Sequence, residues 1–311
     1  MSRGDQVEFE RMAGFHRLES LWRIEYKAVA LEPVITQAAT EEAKTEVSDL
    51  IGKTYAKEEI DLVPLAMGDK AIITGNAVKG LFRHVISAQM AAAGLPVCVQ
   101  KVKLSEGESI PEGRIEECTA ENPCFVCTWF GTAGRGQRAR QGALHFSILE
   151  SKEPLSEVIV SEPIPMIALS DEREAAVAVR GRGRFALVAP IKAGTEFTGW
   201  IKGENLSEEI IGAIAEVVEM SRRGFIQFGG LKTRGMGAMR LEITRIEKYR
   251  TVPKFELEAV YVRKEEERKE GEKGEESEER GEVREEDLDE FLKTCRKKYH
   301  ELLARGRAEG P

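Results

Sequence analysis

Four of the five cysteines are close enough in sequence to bind one metal ion. Cys98, Cys118, Cys124 and Cys127 lie within 30 residues, and the last two form a C-x-x-C pair. We expect a reducing compartment in which disulfides do not persist, so metal binding is the better interpretation of this spacing. The segment is polar and poor in core residues, and a structural zinc ion would supply the folding energy that it lacks.

Two alternatives to a four-cysteine zinc site remain open at this point. His84, on the preceding predicted helix, can replace Cys98 as the fourth ligand. The cysteines can also be small buried apolar side chains without a metal. The fifth cysteine, Cys295, lies far along the chain and is predicted to be a core residue of a C-terminal helix.

Three further segments combine glycine with basic residues. In "ITGNAVKG", Gly75 precedes a predicted helix that begins at Asn76, whose free N–H groups can bind an anion, and Lys79 and Arg83 follow on that helix. The segments "FGTAGRGQRARQG" and "GFIQFGGLKTRGMGAMRL" contribute Arg135, Arg138, Arg140, Gly229, Gly230, Lys232, Arg234, Gly235 and Gly237. Taken singly, each segment has an ordinary explanation. The first can be a simple helix start, the second a solvated loop and the third a crowded hairpin. Together they predict one surface that binds the sugar-phosphate backbone of a nucleic acid.

Net charge does not decide between nucleic acid and other partners. The formal charge is −8, but residues 263–283 alone carry ten Glu against six Lys plus Arg. Residues 284–311 carry seven charges of each sign, so the body, residues 1–262, is only about −4. No apolar run approaches the roughly 20 residues that span a bilayer, and the first residues are charged rather than apolar. We therefore expect a cytoplasmic protein with no membrane partner.

The elements that must position these residues alternate irregularly between strands and helices. Strands are predicted at Leu21–Ile35, in "GALHFSIL", "RGRFALVAPI" and "GTEFTGWIKG", and after the last glycine-rich segment. Helices are predicted from Asn76 to Gly94 and in "LSEEIIGAIAEVVEMSRRG". This mixed order predicts an α+β fold with an antiparallel sheet.

The C-terminal residues have a different character from the body. Residues 263–283 contain no aromatic residue, and their charge predicts a flexible linker or a single solvated helix. Residues 284–311 place apolar side chains at helical spacing, which predicts an amphipathic helix. This helix is expected to dock on the same domain or on a neighbouring molecule.

Four motifs, in order from about Leu21 to Tyr249, resemble those of the RAMP superfamily of CRISPR proteins. They are "IITGNAVKGLFRH", "CFVCTWFGTAGRGQRARQGALHFSI", "ALSDEREAAVAVRGRGRFALVAPIKAGTEFTGWI" and "FGGLKTRGMGAMRL". In particular, the chain resembles the Cas-seven-type backbone subunits of type III CRISPR effector complexes. The resemblance implies a modified RRM-like (ferredoxin-like) palm over residues 1–262. It also implies two insertions, a cysteine-rich lid at about 94–130 and a thumb at about 160–190.

The same resemblance implies a function in RNA-guided defence. Family members of this type hold CRISPR RNA, stack with copies of themselves and other effector subunits, and cut complementary target RNA with a loop aspartate. The matching position here is Asp61, with Asp49 and Asp69 as alternatives, and a divalent cation such as magnesium can assist cleavage. The segment before Asp61 is rich in Glu and Lys where the family has glycine, and Thr233 replaces the serine of the glycine-rich motif. Two other functions remain open, a purely structural backbone subunit and an endonuclease that processes CRISPR RNA.

Overall fold

The computed structural model describes most of the chain. The described residues are 17–38, 41–51, 60–98, 114–115, 118, 123–133, 139–167, 169–170, 175–176, 178–179, 182–183, 185–263 and 284–308. Arg135, Arg138 and nearly all of the predicted 263–283 linker lie outside these residues. Among the helices that the structure describes, none has the length and apolar character needed to cross a membrane.

Short strands and six α-helices alternate along the described residues. The strands are β1 Ser20–Ala30, β2 Gln37–Ala38, β3 Ile60–Pro64, β4 Ala66–Met67, β5 Lys70–Ile73, β6 Val97–Cys98, β7 Arg114–Ile115, β8 Thr132–Ala133, β9 Ala139–Arg140, β10 Leu144–Phe146, β11 Leu149–Pro154, β12 Ile164–Ile167, β13 Leu169–Ser170, β14 Ala175–Ala176, β15 Ala178–Val179, β16 Arg182–Gly183, β17 Phe185–Val188, β18 Glu196–Glu204, β19 Met239–Arg250, β20 Glu256–Val262 and β21 Arg284–Asp287. The helices are α1 Glu41–Ile51, α2 Gly75–Ala92, α3 Phe125–Phe130, α4 Leu155–Val158, α5 Glu208–Arg222 and α6 Leu288–Ala308.

The main sheet is built around β1. Its strand order is β21-β20-β19-β1-β18-β11-β5-β4, and β10 pairs with β18 beside β11. β1 runs antiparallel to both β18 and β19. Every second residue of β1, from Trp22 to Ala30, is buried, which is the alternation of a strand with one face on the core. The predicted α+β fold with an antiparallel sheet is therefore confirmed.

The connections around β1 form two interlocked β-α-β units. Helix α2 lies in sequence between β1 and β10–β11, and β18 lies between those strands in the sheet. Helix α5 lies in sequence between β18 and β19, and β1 lies between those two strands. Apolar residues of both helices join the buried face of β1 in one core cluster. The central strands thus expose one face while the helices cover the other.

A smaller four-stranded sheet lies beside the end of β1. Its order is β12-β17-β3-β2, and β3 and β17 run parallel. The predicted strand Leu21–Ile35 ends earlier, at Ala30, because the chain turns toward this sheet before Pro33. Val34 then pairs with Ile191, and the Thr36 hydroxyl donates to the carbonyl of Ile72 at 2.9 Å. The segment from Pro33 to Thr36 therefore joins the two sheets.

The C-terminal helix α6 docks on the same domain. Cys295 and Tyr299 are fully buried, and the Tyr299 hydroxyl donates to the Gln89 side chain of α2 at 3.0 Å. A Cβ at Gly212 of α5 would lie 2.1 Å from the Cys295 carbonyl oxygen, so the two helices approach closely only because residue 212 is glycine. The structure therefore shows α6 docked on the chain's own domain, which is one of the two expected partners. Cys295 is a core residue, as predicted.

Candidate metal centre and nucleic-acid interface

The four clustered cysteines converge in space. Their sulfur atoms all lie within 4.8 Å of one another, and all four residues are buried. Cys98 comes from β6, Cys124 precedes α3 and Cys127 lies within it. The Sγ atoms of Cys98 and Cys127 are 3.1 Å apart, and within the described part of the chain none of the four residues forms a disulfide bond. We call this group the cysteine cluster.

The cysteine cluster has the ligands and spacing of a structural zinc site. Four thiolates about 2.3 Å from a tetrahedral zinc ion lie about 3.8 Å from one another, within the observed limit. Burial raises the pKa of the Cys118 thiol to about 12, because desolvation disfavours a thiolate without a neighbouring cation. The four cysteines would be deprotonated if they held a zinc ion, because its charge would reverse this preference. The residues present therefore fit the metal that the sequence predicts.

His84 is not part of this group. It lies exposed on α2, and among the residues that the structure describes the potential ligand group contains only the four cysteines. The structure therefore favours Cys98 over His84 as the fourth ligand.

Arg83 fastens the cysteine-rich segment to α2. One guanidinium nitrogen donates to the Gly131 carbonyl at 2.6 Å, and the other lies 3.6 Å from the Cys127 sulfur. A cation at this distance also offsets the negative charge that thiolates would carry. Contact between Arg83 and RNA stays a prediction, and its observed contacts are structural.

The start of α2 is held tightly against the main sheet. The Thr74 hydroxyl caps the helix by accepting from the Ala77 N–H at 3.3 Å. A Cβ at Gly75 would lie 2.5 Å from the Phe146 carbonyl oxygen, so only glycine allows this approach. Asn76 is exposed at the free end of the helix, and Lys79 is half-buried one turn later. Burial, and secondarily the charge of Arg83, lower the pKa of Lys79.

Residues 229–237, the glycine loop, form the tip of a small hairpin. The Phe228 N–H donates to Gly237, and the Met239 N–H donates to Ile226. Gly229, Gly235 and Gly237 all have positive φ angles, between 74° and 95°. A Cβ at Gly229 would lie 2.1 Å from the Ile35 oxygen, and a Cβ at Gly237 would lie 2.2 Å from the Phe228 oxygen. The crowded bend thus requires glycine, as one alternative interpretation of the sequence proposed.

The same bend presents its charges to solvent. Lys232 and Arg234 are exposed on a 3₁₀ turn between Leu231 and Gly235. Leu231 has a φ of 57°, a left-handed conformation that costs a non-glycine residue about 1 kcal/mol or more. The glycines that crowding requires and the cations that could bind phosphate therefore occur together in this loop. Crowded glycines fix the hairpin, and its tip carries two exposed cationic side chains.

Asp61 lies on β3 next to the glycine loop. Its exposed carboxylate accepts a hydrogen bond from the Leu187 N–H at 2.9 Å. The following residue, Leu62, packs in a small apolar cluster with Leu231 and Met236 of the glycine loop. Asp49 is exposed on α1 and Asp69 in the turn between β4 and β5. Neither takes part in this apolar cluster.

The segment from Pro33 to Thr36 links the glycine loop to the start of α2. Gly237 donates its N–H to Pro33 at 2.9 Å, and Gly230 donates to Ile35 at 3.0 Å. Thr36 in turn bonds to Ile72, two residues before the Thr74 cap. The structure therefore brings together two of the three predicted loops and the strand of Asp61.

The remaining basic loop is described only at its two ends. β8 and β9 pair there, and Arg140 is half-buried, with burial lowering its pKa. A Cβ at Gly142 would lie 2.3 Å from the Phe130 carbonyl carbon, so the base of this loop packs closely on α3. Arg83 connects that base to α2. Where Arg135 and Arg138 lie stays a prediction.

Two features of the site are not evident from the sequence reasoning. Thr74 caps α2, and its position directly before a helical apolar pattern is a signal that could have identified it. The left-handed Leu231 has no such signal, because leucine rarely adopts that conformation.

Comparison with protein families now gives these observations a context. A sequence model of the RAMP superfamily matches residues 45–242, which is more than half of the chain. The matched region contains Asp61, α2, the cysteine cluster and the glycine loop. A comparison with curated proteins finds no match. The chain belongs to the RAMP superfamily, whose members are CRISPR-associated RNA-binding proteins that act in multi-subunit complexes.

Proposed function

We propose that the chain is an RNA-binding backbone subunit of a type III CRISPR effector complex. In this proposal it holds CRISPR RNA along the glycine loop and the start of α2, and it cleaves complementary target RNA through Asp61. The observation that carries the proposal is the series of contacts through the Pro33–Thr36 segment and Leu62, which links these three elements. Copies of this chain and other effector subunits are the proposed protein partners.

The order of the central strands supports an RRM-like palm. β19, β1, β18 and β10–β11 are neighbours in that order, and α2 and α5 connect them in two β-α-β units. This is the connectivity of a ferredoxin-like fold. The strand order is the reason we assign residues 1–262 to such a palm, with further elements inserted into it.

The two inserted regions are proposed to be a lid and a thumb. The cysteine cluster lies in the proposed lid, residues 94–130, where a zinc ion would add to the packing of α3, whose Trp129 and Phe130 belong to the main core cluster. The proposed thumb, residues 160–190, contains β12, β17 and the two-stranded ribbons β13–β14 and β15–β16. Asp61 bonds to Leu187, where β17 returns to the body. The carboxylate therefore lies at the base of the proposed thumb.

The proposed chemistry uses the 2′-hydroxyl of the target RNA as the nucleophile. Asp61 is exposed, and its carboxylate would accept the proton as the hydroxyl oxygen attacks phosphorus and the 5′ oxygen leaves. Lys232 and Arg234 are exposed on the adjacent glycine loop and would offset charge on the phosphates. A magnesium ion, which binds through one or two carboxylates and keeps several waters, would add electrostatic stabilisation if Asp61 holds it.

An Asp61→Asn variant tests the cleavage step. Asparagine keeps an oxygen that can accept from the Leu187 N–H, so the strand pairing should persist. With the full chain assembled on a guide RNA, we expect cleavage of complementary RNA to fall at least about a hundredfold while RNA binding is retained. Asp49→Asn and Asp69→Asn are the matched controls and should cleave normally. Unchanged cleavage by Asp61→Asn would refute the assignment.

A non-catalytic backbone subunit is the second candidate, and one observation favours it. The Asp61 carboxylate already serves a structural purpose, because it accepts from the backbone at the junction of β3 and β17. If the wild-type chain binds guide and target RNA without cutting, and Asp61→Asn only lowers stability, this candidate is correct.

A further inference from the structure

The main sheet has an open face that the proposed RNA path does not use. On β1, the buried residues alternate with Arg23, Glu25 and Lys27, which point away from the helices. Register places Trp200 of β18 opposite Glu25, and Tyr249 of β19 opposite Leu21, so both rings lie on this open face. The glycine loop lies at the far end of β1 and β19, beyond Ala30 and before Met239.

Trp200 is an aromatic ring set between cations. The Lys202 ammonium lies 4.6 Å from the ring centroid and the Arg23 guanidinium carbon 5.8 Å from it. A groove of about 650 Å³ runs beside the ring, and its charged lining residues are Arg23, Lys27, Glu25, Glu150 and Glu196. Trp22 and Trp129 are buried, whereas Trp200 is half-exposed. The fold thus leaves one of its three tryptophans available to a ligand.

A second aromatic site lies diagonally across the sheet. Phe255 is 62% exposed and stacks on Tyr249, with ring centroids 5.2 Å apart and planes within 9°. Trp200 and Tyr249 are two strands and four residues apart, which is about 17 Å in a regular sheet. Arg23, midway between Leu21 and Glu25, lies under this diagonal. A few unstacked nucleotides can cover that distance with a cation below them.

Charge on this face suits stacking of bases rather than attraction of many phosphates. Arg23 pairs with Glu25 at 2.9 Å, and Arg245 pairs with Glu247 at the same distance. The groove adds Lys27 and, beside Trp200, Lys202, against Glu150 and Glu196, so it carries no excess of positive charge. Exposed aromatic rings can stack unpaired bases of any sequence, and without an excess of cations the face adds little attraction for phosphates. Duplex RNA offers no free base to such rings.

From this geometry we propose that the open face is a second RNA site, which stacks unpaired bases of a single strand on Trp200 and on the Tyr249–Phe255 pair. The inference rests on the RNA-binding function of the family and is independent of cleavage by Asp61. It adds a surface of different chemistry to the proposed path along the glycine loop. That path should depend steeply on salt, and the open face only weakly.

Intrinsic fluorescence of the full chain tests the inference directly. A single-stranded RNA oligonucleotide of mixed sequence should quench the emission of Trp200, since the other two tryptophans are buried. The same oligonucleotide annealed to its complement should not quench it. Trp200→Ala should weaken binding of the single strand about 5- to 150-fold. Trp200→Phe, which keeps an aromatic ring, should bind nearly as well as wild type.

A control on the glycine loop separates this inference from the proposed function. A Lys232→Ala, Arg234→Ala double variant should bind RNA more weakly but show the same quenching at saturation. Quenching that is absent at saturation, or an unchanged affinity of Trp200→Ala, would overturn the open-face site and leave the glycine-loop proposal intact. Trp200→Ala that dissociates an assembly of this chain without changing RNA affinity would show a protein interface and also overturn it.

Discussion

Different forces hold the glycine loop and the cysteine cluster. The loop is fixed by backbone hydrogen bonds to Pro33 and Ile35. It is also fixed by close packing at its glycines, where an added Cβ would clash with neighbouring backbone. The cluster instead packs four thiols close together, where a metal ion would supply cohesion. One region therefore depends on its backbone geometry and the other on its ligand chemistry. Their mutational sensitivities should differ accordingly.

The largest effect is expected from disrupting the cysteine cluster. Cys127→Ser should abolish stoichiometric zinc and destabilise the cysteine-rich segment by several kcal/mol, because three ligands hold the ion poorly. Mass spectrometry for zinc and hydrogen exchange across α3 measure this. Cys295→Ser is a control that should keep zinc, since Cys295 lies outside the cluster. A zinc-free wild type with a fully protected α3 would contradict the metal assignment.

The next effect separates close packing from backbone conformation within the glycine loop. Gly229→Ala and Gly237→Ala should each lower the free energy of unfolding by about 2–4 kcal/mol, because the new methyl group meets a backbone oxygen. Gly235→Ala has a similar φ but open space around it, so it should cost only about 1–2 kcal/mol. Urea denaturation compares the three. Equal costs at all three positions would show that packing against Ile35 and Phe228 is unimportant.

The exposed cations of the glycine loop should affect RNA and not stability. Lys232→Ala and Arg234→Ala should leave the free energy of unfolding within about 0.5 kcal/mol of wild type. Each should reduce the salt dependence of RNA affinity by about one unit of log–log slope, because one phosphate contact is lost. Titrations at several salt concentrations provide the slope. A slope that neither variant changes would remove the loop from the RNA path.

The smallest effect concerns Cys295, a buried thiol that lies outside the cysteine cluster. Burial raises the pKa of Cys295 to about 12 from an ordinary value of 9.0, so the unfolded chain loses its proton first as pH rises. This contribution to stability is present below pH 9 and declines toward pH 12, by about 1.4 kcal/mol per pH unit at most. Comparison of wild type with Cys295→Ala between pH 8 and 10 measures it. Parallel stability curves would contradict this origin.

The sequence predicted the cysteine cluster more completely than it predicted the arrangement of the glycine loop. The C-x-x-C pair and two more cysteines predicted a metal site, and the structure brings those four sulfurs together. Ligand chemistry is local and specific, so few residues suffice to identify it. The choice between Cys98 and His84 needed the structure, because the sequence does not show which of the two side chains lies beside the C-x-x-C pair.

The glycine loop was harder to interpret from its sequence. Glycine marks an unusual backbone, but sequence does not say which neighbour crowds it; here that neighbour is the Pro33–Thr36 segment, some 200 positions earlier. Such long-range contacts set the location of Lys232, Arg234 and Asp61. The aromatic open face was missed for the same reason, because Trp200 and Tyr249 come together only through the register of β18, β1 and β19.

Hydrogen exchange of the free and RNA-bound chain tests the central claim most directly. We predict that single-stranded guide RNA slows exchange of backbone amides in the glycine loop and at the start of α2, from Gly75 to Lys79. Protection confined to other parts of the chain, with both of these elements exchanging as in the free protein, would contradict the claim that they form one RNA-binding surface.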